Sequence, residues 1–417
     1  MQLSAQKKIF ILVALFWSTL FWRSPALFLS PRFWAEEGKY YYSNLQDENF
    51  FSTFTLIIRG NFQLLTNWIA YFATLVPAKF AAYVSTYISL LLLGFFAGLV
   101  GLLSIQRNWP PLLSGIVIVI LALLPQGYEI YLTGTNVQWI CPACLLVISL
   151  LDTKDWSSSR KIAIYIFAAI SGLTGVCSAM LAPAFILRKC ISPSQFHFKI
   201  GLILSCCAVL HGVIILANAH PDRTFPLDLF ILTFPLALQS IWSPLIGGEA
   251  VDRVVILLGK EGYGILNAAI YVASLSLAAF AIFTARNKLK HKYIPFMLFG
   301  IWLGVSVLNV FGSLGDQNGL ISGWAGGRYF FLGAVCFVIM LGFAASGEST
   351  IASKFALLLL ITMMLSSIKQ AHSVNWKNGL ISGESWYARV SRCEDIRPCD
   401  VEVWPGGTNW SFQLKHK

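Results

Sequence analysis

The sequence predicts an all-α polytopic membrane protein with about eleven spans, and three observations carry that prediction. Of its 417 residues, 57% are hydrophobic and only 12% are charged, with a mean hydropathy of +0.69, far above ordinary soluble usage. Apolar runs recur along the whole chain, and a helical span needs about 20 such residues. Lys and Arg gather in short clusters between those runs, as they do in loops that set topology. The net charge of +11 is therefore read as loop charge meeting anionic lipid, and a nucleic-acid partner is excluded.

Lys7 and Lys8 precede the first apolar run, 9–29, and predict a cytoplasmic N terminus. The run lacks a small-residue cleavage site, so it is read as an uncleaved span. The chain then enters an outer loop, 30–78, that opens with Pro31-Arg32-Phe33-Trp34-Ala35-Glu36-Glu37-Gly38-Lys39-Tyr40. Two adjacent carboxylates beside hydrocarbon are costly, which makes the pair an expected functional element. Later in the loop, Phe62, Leu65, Ile69, Phe72 and Val76 recur at spacings of three and four, with Gln63, Thr66, Asn67 and Thr74 opposite. That pattern fits an amphipathic helix on the membrane surface or the start of a long span with its polar stripe packed inward. Pro77 favours a break before the next span.

The second span, 79–104, ends at Arg107. Spans near 112–126 and 137–151 form a hairpin with an outer loop from Gly127 to Gln138, and both are short against about 30 Å of hydrocarbon. The stretch 162–187 has Arg160 and Lys161 before it and Arg188 and Lys189 after it, so both ends are expected on one side. Gly172, Thr174 and Gly175 in its middle predict two short helices meeting at a turn inside the membrane. Such a turn must be covered by protein or line a cavity. After a span at 199–218, the apolar run Leu227 to Ile246 is interrupted by Pro235 and Pro244 and is expected to re-enter. A crossing there would put Arg286, Lys288, Lys290 and Lys292 outside.

Spans near 263–285, 293–312, 329–346 and 351–369 complete a transmembrane domain, 1–369, and leave 370–417 as a small extracytoplasmic tail. Cys393 and Cys399 in that tail are spaced for a local disulfide if the compartment is oxidising. The other cysteines lie in or beside apolar segments and are read as small hydrophobes. Cys141-Pro142-Ala143-Cys144 has redox spacing without the strand-helix context a redox motif needs. Trp376, Trp386, Trp404 and Trp410 suggest a cap on the outer mouth.

A cytoplasmic N terminus, a first span, an acidic pair opening the first outer loop, a surface helix and then many spans resemble the GT-C glycosyltransferases, membrane enzymes that use lipid-phosphate sugars. Glu36-Glu37-Gly38-Lys39-Tyr40 is similar to the acid-acid-small-basic-Tyr run after the first span in the aminoarabinose and mannosyl branches. Trp34-Ala35-Glu36-Glu37-Gly38, with Gly327-Arg328-Tyr329-Phe330, also resembles uncharacterised bacterial membrane proteins with a Trp-Ala-Glu-Asp-Gly motif. Glu37 departs from the Asp usual there and reaches one methylene further. The resemblance covers roughly the first hundred residues.

It implies inverting transfer of a sugar from a polyprenyl-phosphate donor to a glycan or lipid acceptor on the outer face of a bacterial inner membrane. Glu36 is the first choice for the base that takes the acceptor proton, with Glu37 beside it. The leaving phosphate needs cations. Arg328, after Gly323-Trp324-Ala325-Gly326-Gly327, is the best candidate, and Arg59, Lys79 and Arg32 are weaker ones. Arg23 lies where it could reach the site. Tyr40, Asn136, Gln138, Asp316, Gln317 and Asn318, with Glu129, are candidates for binding sugar hydroxyls. The six histidines are scattered, so no metal or other cofactor is expected, although paired carboxylates can hold a divalent ion. The rival readings are a lipid or glycolipid transporter, or flippase, that uses the acidic pair in its pathway, and an O-antigen polymerase or ligase.

Overall fold

The computed structural model describes residues 4–191, 194–218, 229–261, 265–289, 292–311, 313, 317–323, 326–347, 349–371, 384–393, 399–405 and 410–415. Among these, six helices are long and apolar enough to cross a membrane: Ala5–Arg23, Ala78–Gln106, Gln195–Ala217, Asn267–Lys288, Gly327–Ala345 and Ile351–Ala371. Shorter apolar helices cover Pro111–Leu123, Val137–Leu150, Leu232–Ile246 and Ile294–Val310. The protein is thus an all-α, multi-pass membrane architecture with two small two-stranded sheets.

Enclosure explains why some helices are short. In Val137–Leu150 every residue but Gln138 is buried, and in Phe331–Ala345 every residue but Ala345. A helix apolar on all sides is stable where other helices surround it, so these two form the centre, and the shorter, Val137–Leu150, need not match the bilayer. The first helix stops at Ser24, where Pro25 starts a short second helix, Pro25–Leu29; proline lacks the N–H that would continue the ladder.

The predicted interruption of 162–187 is present. One helix, Ser158–Gly172, ends at Leu173, and Val176–Ala179 and Ala182–Ile191 follow. Gly175, at φ 88°, makes the turn, a conformation that glycine adopts without strain. The freed backbone groups are not left bare. Gln63 and Thr174 form an antiparallel bridge, Leu64 N–H donates to Leu173 O at 3.0 Å, Gly175 N–H donates to Phe62 O at 3.1 Å, and Leu65 N–H donates to Thr174 Oγ1 at 3.0 Å. The first loop therefore supplies the cover that a broken helix needs in hydrocarbon.

The helix of that loop, Leu64–Thr74, corrects the simple surface reading. Thr66, Asn67 and Thr74 are buried together with Leu64 and Ile69, while Phe72 and the following Leu75 are exposed, so the polar stripe faces protein and the outward face is carried by Phe72 and Leu75. The reason is local: Asn67 Nδ2 donates to the Thr53 and Leu56 carbonyls at 2.8 and 3.0 Å, and Thr66 Oγ1 donates to Gln63 Oε1 at 2.9 Å. The break near Pro77 is present, since the next long helix, Ala81–Gln106, begins after a short 3₁₀ turn, Ala78–Phe80.

Within the segment 229–261, the chain turns at Gly247 before a further helix, Gly248–Glu261. Gln239 Nε2 bonds Ser322 O, and Ser243 Oγ bonds Gly323 O at 3.3 Å. These contacts tie the segment to the loop just before Arg328.

Candidate functional site

The two glutamates, adjacent in sequence, point to different places. A π-helical turn, Glu37–Tyr42, begins directly after Glu36, and such wide turns re-aim side chains at functional sites. Glu37 is 3% exposed and is enclosed by donors: Gly134 N–H to Oε1 at 2.6 Å, Trp34 N–H to Oε2 at 3.0 Å, and the Ser85 hydroxyl to Oε1. Burial pushes its carboxyl up to about 7, and the bonds from Ser85, Trp34 and Gly134 work against that rise. Glu37 therefore joins the start of the first loop to the second outer loop. Only glycine fits at position 134, because a Cβ there would lie 2.7 Å from Ile69 Cγ2 and 2.8 Å from Glu37 Oε1.

Glu36 faces a cavity of about 290 Å³. Arg59, Asn136, Gln138 and Arg328 line the same cavity, so five sequence-derived candidates converge from four separated stretches of chain. Arg59 arrives on a hairpin, Ile57–Ile58 paired with Asn61–Phe62. Its two turn residues, Arg59 and Gly60, have φ of 49° and 70°, as a tight two-residue hairpin turn requires. Tyr40 does not line the cavity; its hydroxyl accepts from Arg59 Nη2 at 2.9 Å and its ring lies 5.0 Å from that guanidinium. It orients Arg59.

Arg328 is paired with the Glu129 carboxylate and lies 5.2 Å from the Tyr329 ring centre, with Glu36 close enough to act on its charge. The preceding glycines serve packing: a Cβ on Gly327 would stand 3.3 Å from Gln126 Cα. The Asn136 side-chain amide is committed to its own loop, donating to Glu129 O at 2.6 Å and Thr133 Oγ1 at 3.1 Å. Gln138 Oε1 accepts from Asn61 Nδ2 at 3.4 Å.

Three expected cations lie elsewhere. Lys79 sits 5.8 and 5.7 Å from the Phe80 and Tyr387 ring centres. Arg32 lines a small pocket with Glu384, Arg389 and Trp404. Arg23 is buried in the bundle, where it donates to Ala122 O at 3.0 Å and lies 5.0 Å from the Tyr131 ring. Both Arg32 and Lys79 flank the loop on its tail-facing side, which hydropathy does not distinguish from the cavity side. Asp316 lies outside the described residues, as do the side chains of Gln317 and Asn318, whose backbone forms a 3₁₀ turn, Gln317–Leu320. Among the described residues no three His, Cys, Asp or Glu side chains group as a metal site.

The tail packs on the loop rather than on the cavity. Trp404 packs tilted against Trp34 with ring centres 4.3 Å apart, its backbone N–H donates to Phe33 O at 3.1 Å, and Trp386 meets Phe33 at 4.9 Å. Cys393 and Cys399 are joined in a disulfide. Neither Trp386, Trp404 nor Trp410 lines the cavity, and Trp376 lies outside the described residues.

The cavity also contains residues the sequence reading passed over: Tyr41, Asn61, Trp139, Cys177 and Asn309. Asn309 carried a usable signal, a carboxamide within a helix, Ile294–Phe311, whose only other polar side chain is Ser306, where such a group is by default functional. Its Nδ2 donates to Tyr329 O at 3.0 Å and its Oδ1 accepts from Cys177 Sγ at 3.1 Å. Trp139 and Tyr329 meet edge to face at 5.4 Å. The arrangement offers one carboxylate, two guanidinium groups, several carboxamides and aromatic walls around one space. No family model matches this chain, and no curated protein or solved structure matches it.

Proposed function

We propose that this chain is a membrane glycosyltransferase that resembles the GT-C class and moves a sugar from a polyprenyl-phosphate donor to a glycan or lipid acceptor. The observation that carries the reading is the shared cavity of Glu36, Arg59 and Arg328. Glu36 takes the proton of the acceptor hydroxyl as its oxygen bonds to the anomeric carbon. The bond from that carbon to the phosphate oxygen breaks, and its electrons leave with the phosphate. Arg328 and Arg59 offset the developing charge. Asn61, Gln138 and Asn309 provide hydrogen bonds for sugar hydroxyls, and Trp139 and Tyr329 provide apolar faces. By the charge pattern of its loops, the cavity opens on the extracytoplasmic face of a bacterial inner membrane, with the N terminus cytoplasmic.

The test is transfer by the reconstituted protein from a synthetic polyprenyl-phosphate sugar to lipid-linked and envelope glycans. Product with the wild type, and none with Glu36→Gln despite retained donor binding, supports the reading; equal transfer by the wild type and Glu36→Gln sinks it. Lipid transport is favoured by one observation, the contact of a second cavity with the first through Met180 and Leu308. Flipping of labelled lipid-phosphate sugar across vesicles, without transfer, would select that alternative.

A further inference from the structure

A second cavity, about 500 Å³, lies between the helices Ala182–Ile191 and Ile294–Phe311. Its wall is apolar, with Leu187, Phe296 and Met297 among its lining, except at one end, where Arg188 and Tyr293 stand. From Tyr293 to Leu308 the wall is about 22 Å long by helix rise, enough to cover the roughly 15 Å hydrocarbon depth of one leaflet.

Two observations single this space out. Arg188 is 7% exposed and, among the described residues, makes one side-chain hydrogen bond, from Nη2 to Leu151 O at 2.8 Å, while its buried Nε and Nη1 have no partner there. A buried cation with unsatisfied donors is costly, and an anion that accepts from them offsets that cost. Among the described residues, the ionisable groups that act on it are Arg107, Asp152, Tyr293 and His197, so two guanidinium groups face one carboxylate there and the balance is positive. Second, Gly300 and Gly304 line the cavity, and a Cβ on either would meet nothing within 4 Å among the described residues. Small residues four apart on a membrane helix ordinarily let a neighbouring helix approach. Here the gap they leave is open.

We propose that this cavity binds one anionic phospholipid, its phosphate held by Arg188 and one acyl chain laid along the wall of Gly300 and Gly304 toward Leu308. The ligand chemistry follows from the site: an anionic head for the unsatisfied guanidinium and a single apolar chain for the long dry wall. The proposal is independent of sugar transfer, because it concerns the far end of the second cavity and its readout is binding alone.

The experiment uses delipidated full-length protein incubated with an equal mixture of dioleoyl phosphatidylglycerol and dioleoyl phosphatidylcholine, read by native mass spectrometry. The wild type is expected to retain one phosphatidylglycerol with about tenfold preference, equivalent to about 1.4 kcal/mol. Arg188→Gln should bind both lipids equally. Gly304→Leu, which fills open space, should lose both. Inorganic phosphate alone should not compete. Equal retention of the two lipids by the wild type, a preference that survives Arg188→Gln, or displacement by inorganic phosphate would each overturn the proposal. Should Arg188→Gln fail to fold, Gly304→Leu and the phosphate competition decide it on the same terms.

Discussion

The cavity wall and the packed joint behind it each hold one of two consecutive carboxylates, and the contrast between them separates chemistry from architecture. Glu36 borders the open space with Arg59 and Arg328; Glu37 is sealed among Trp34, Ser85 and Gly134. Adjacent acids in a sequence motif invite a shared role. The surroundings instead give one carboxylate access to a ligand and give the other three donors to hold.

The sharpest way to break that contrast is to neutralise each acid in turn. Glu36→Gln is expected to slow transfer about a thousandfold or more, the scale of a lost general base, with the melting temperature unchanged; a matching fall in stability would show that Glu36 is also structural. Next in size, Glu37→Ala leaves the Trp34 N–H and the Ser85 hydroxyl without their acceptor, while the Gly134 N–H keeps Ser85 Oγ at 3.0 Å. At about 1–3 kcal/mol for each buried orphan, the loss of stability in detergent should reach about 3 kcal/mol. An unchanged unfolding transition would mean that water enters the joint.

The joint also carries a pH signature. Because burial raises the Glu37 carboxyl to about 7, the folded state holds its proton more tightly than the unfolded chain. Its contribution to stability is full below the ordinary value of 4.5 and is lost as pH rises through about 7. Melting temperatures measured from about pH 5 to pH 8 should fall in the wild type and fall less in Glu37→Gln; parallel slopes would assign the dependence to other groups. A smaller effect belongs to Arg328→Lys, which keeps the charge but loses the planar fork. Donor binding should weaken about tenfold, or about 1.4 kcal/mol, as titration with a non-transferable donor analogue would report. Smallest of all, Lys79→Met, at a half-buried charge beside two rings, should leave transfer unaltered and shift stability by less than about 0.5 kcal/mol. Loss of transfer in that variant would return Lys79 to the site.

Much of the fold was legible because it follows from one-dimensional signals. The interruption at Gly172 to Gly175 could be read from basic residues at both ends and glycines between. What could not be read was the cover: Gln63, Leu64 and Leu65, more than a hundred residues earlier, complete the backbone there. The helix Leu64–Thr74 was legible as amphipathic, yet its direction was not, since a membrane reverses which face is solvated and which is packed. Among the cations, Arg59 and Arg328 reached the cavity while Arg32 and Lys79 did not. All four are interfacial in sequence, and only the chain's lateral path distinguishes them. The π-helical turn after Glu36 had no sequence mark that we recognise, and it is the feature that divides the two acids.

The contact of Trp404 with Phe33 and Trp34 has a temporal consequence. The acidic motif leaves the ribosome about 370 residues ahead of Trp404, which bridges back to Trp34. At roughly 5–20 residues per second, the opening loop waits tens of seconds for its partner. Assembly of this edge of the cavity is thereby deferred until Trp404 is made, and a chain truncated before residue 384 would insert its helices yet lack the buttress behind Glu36.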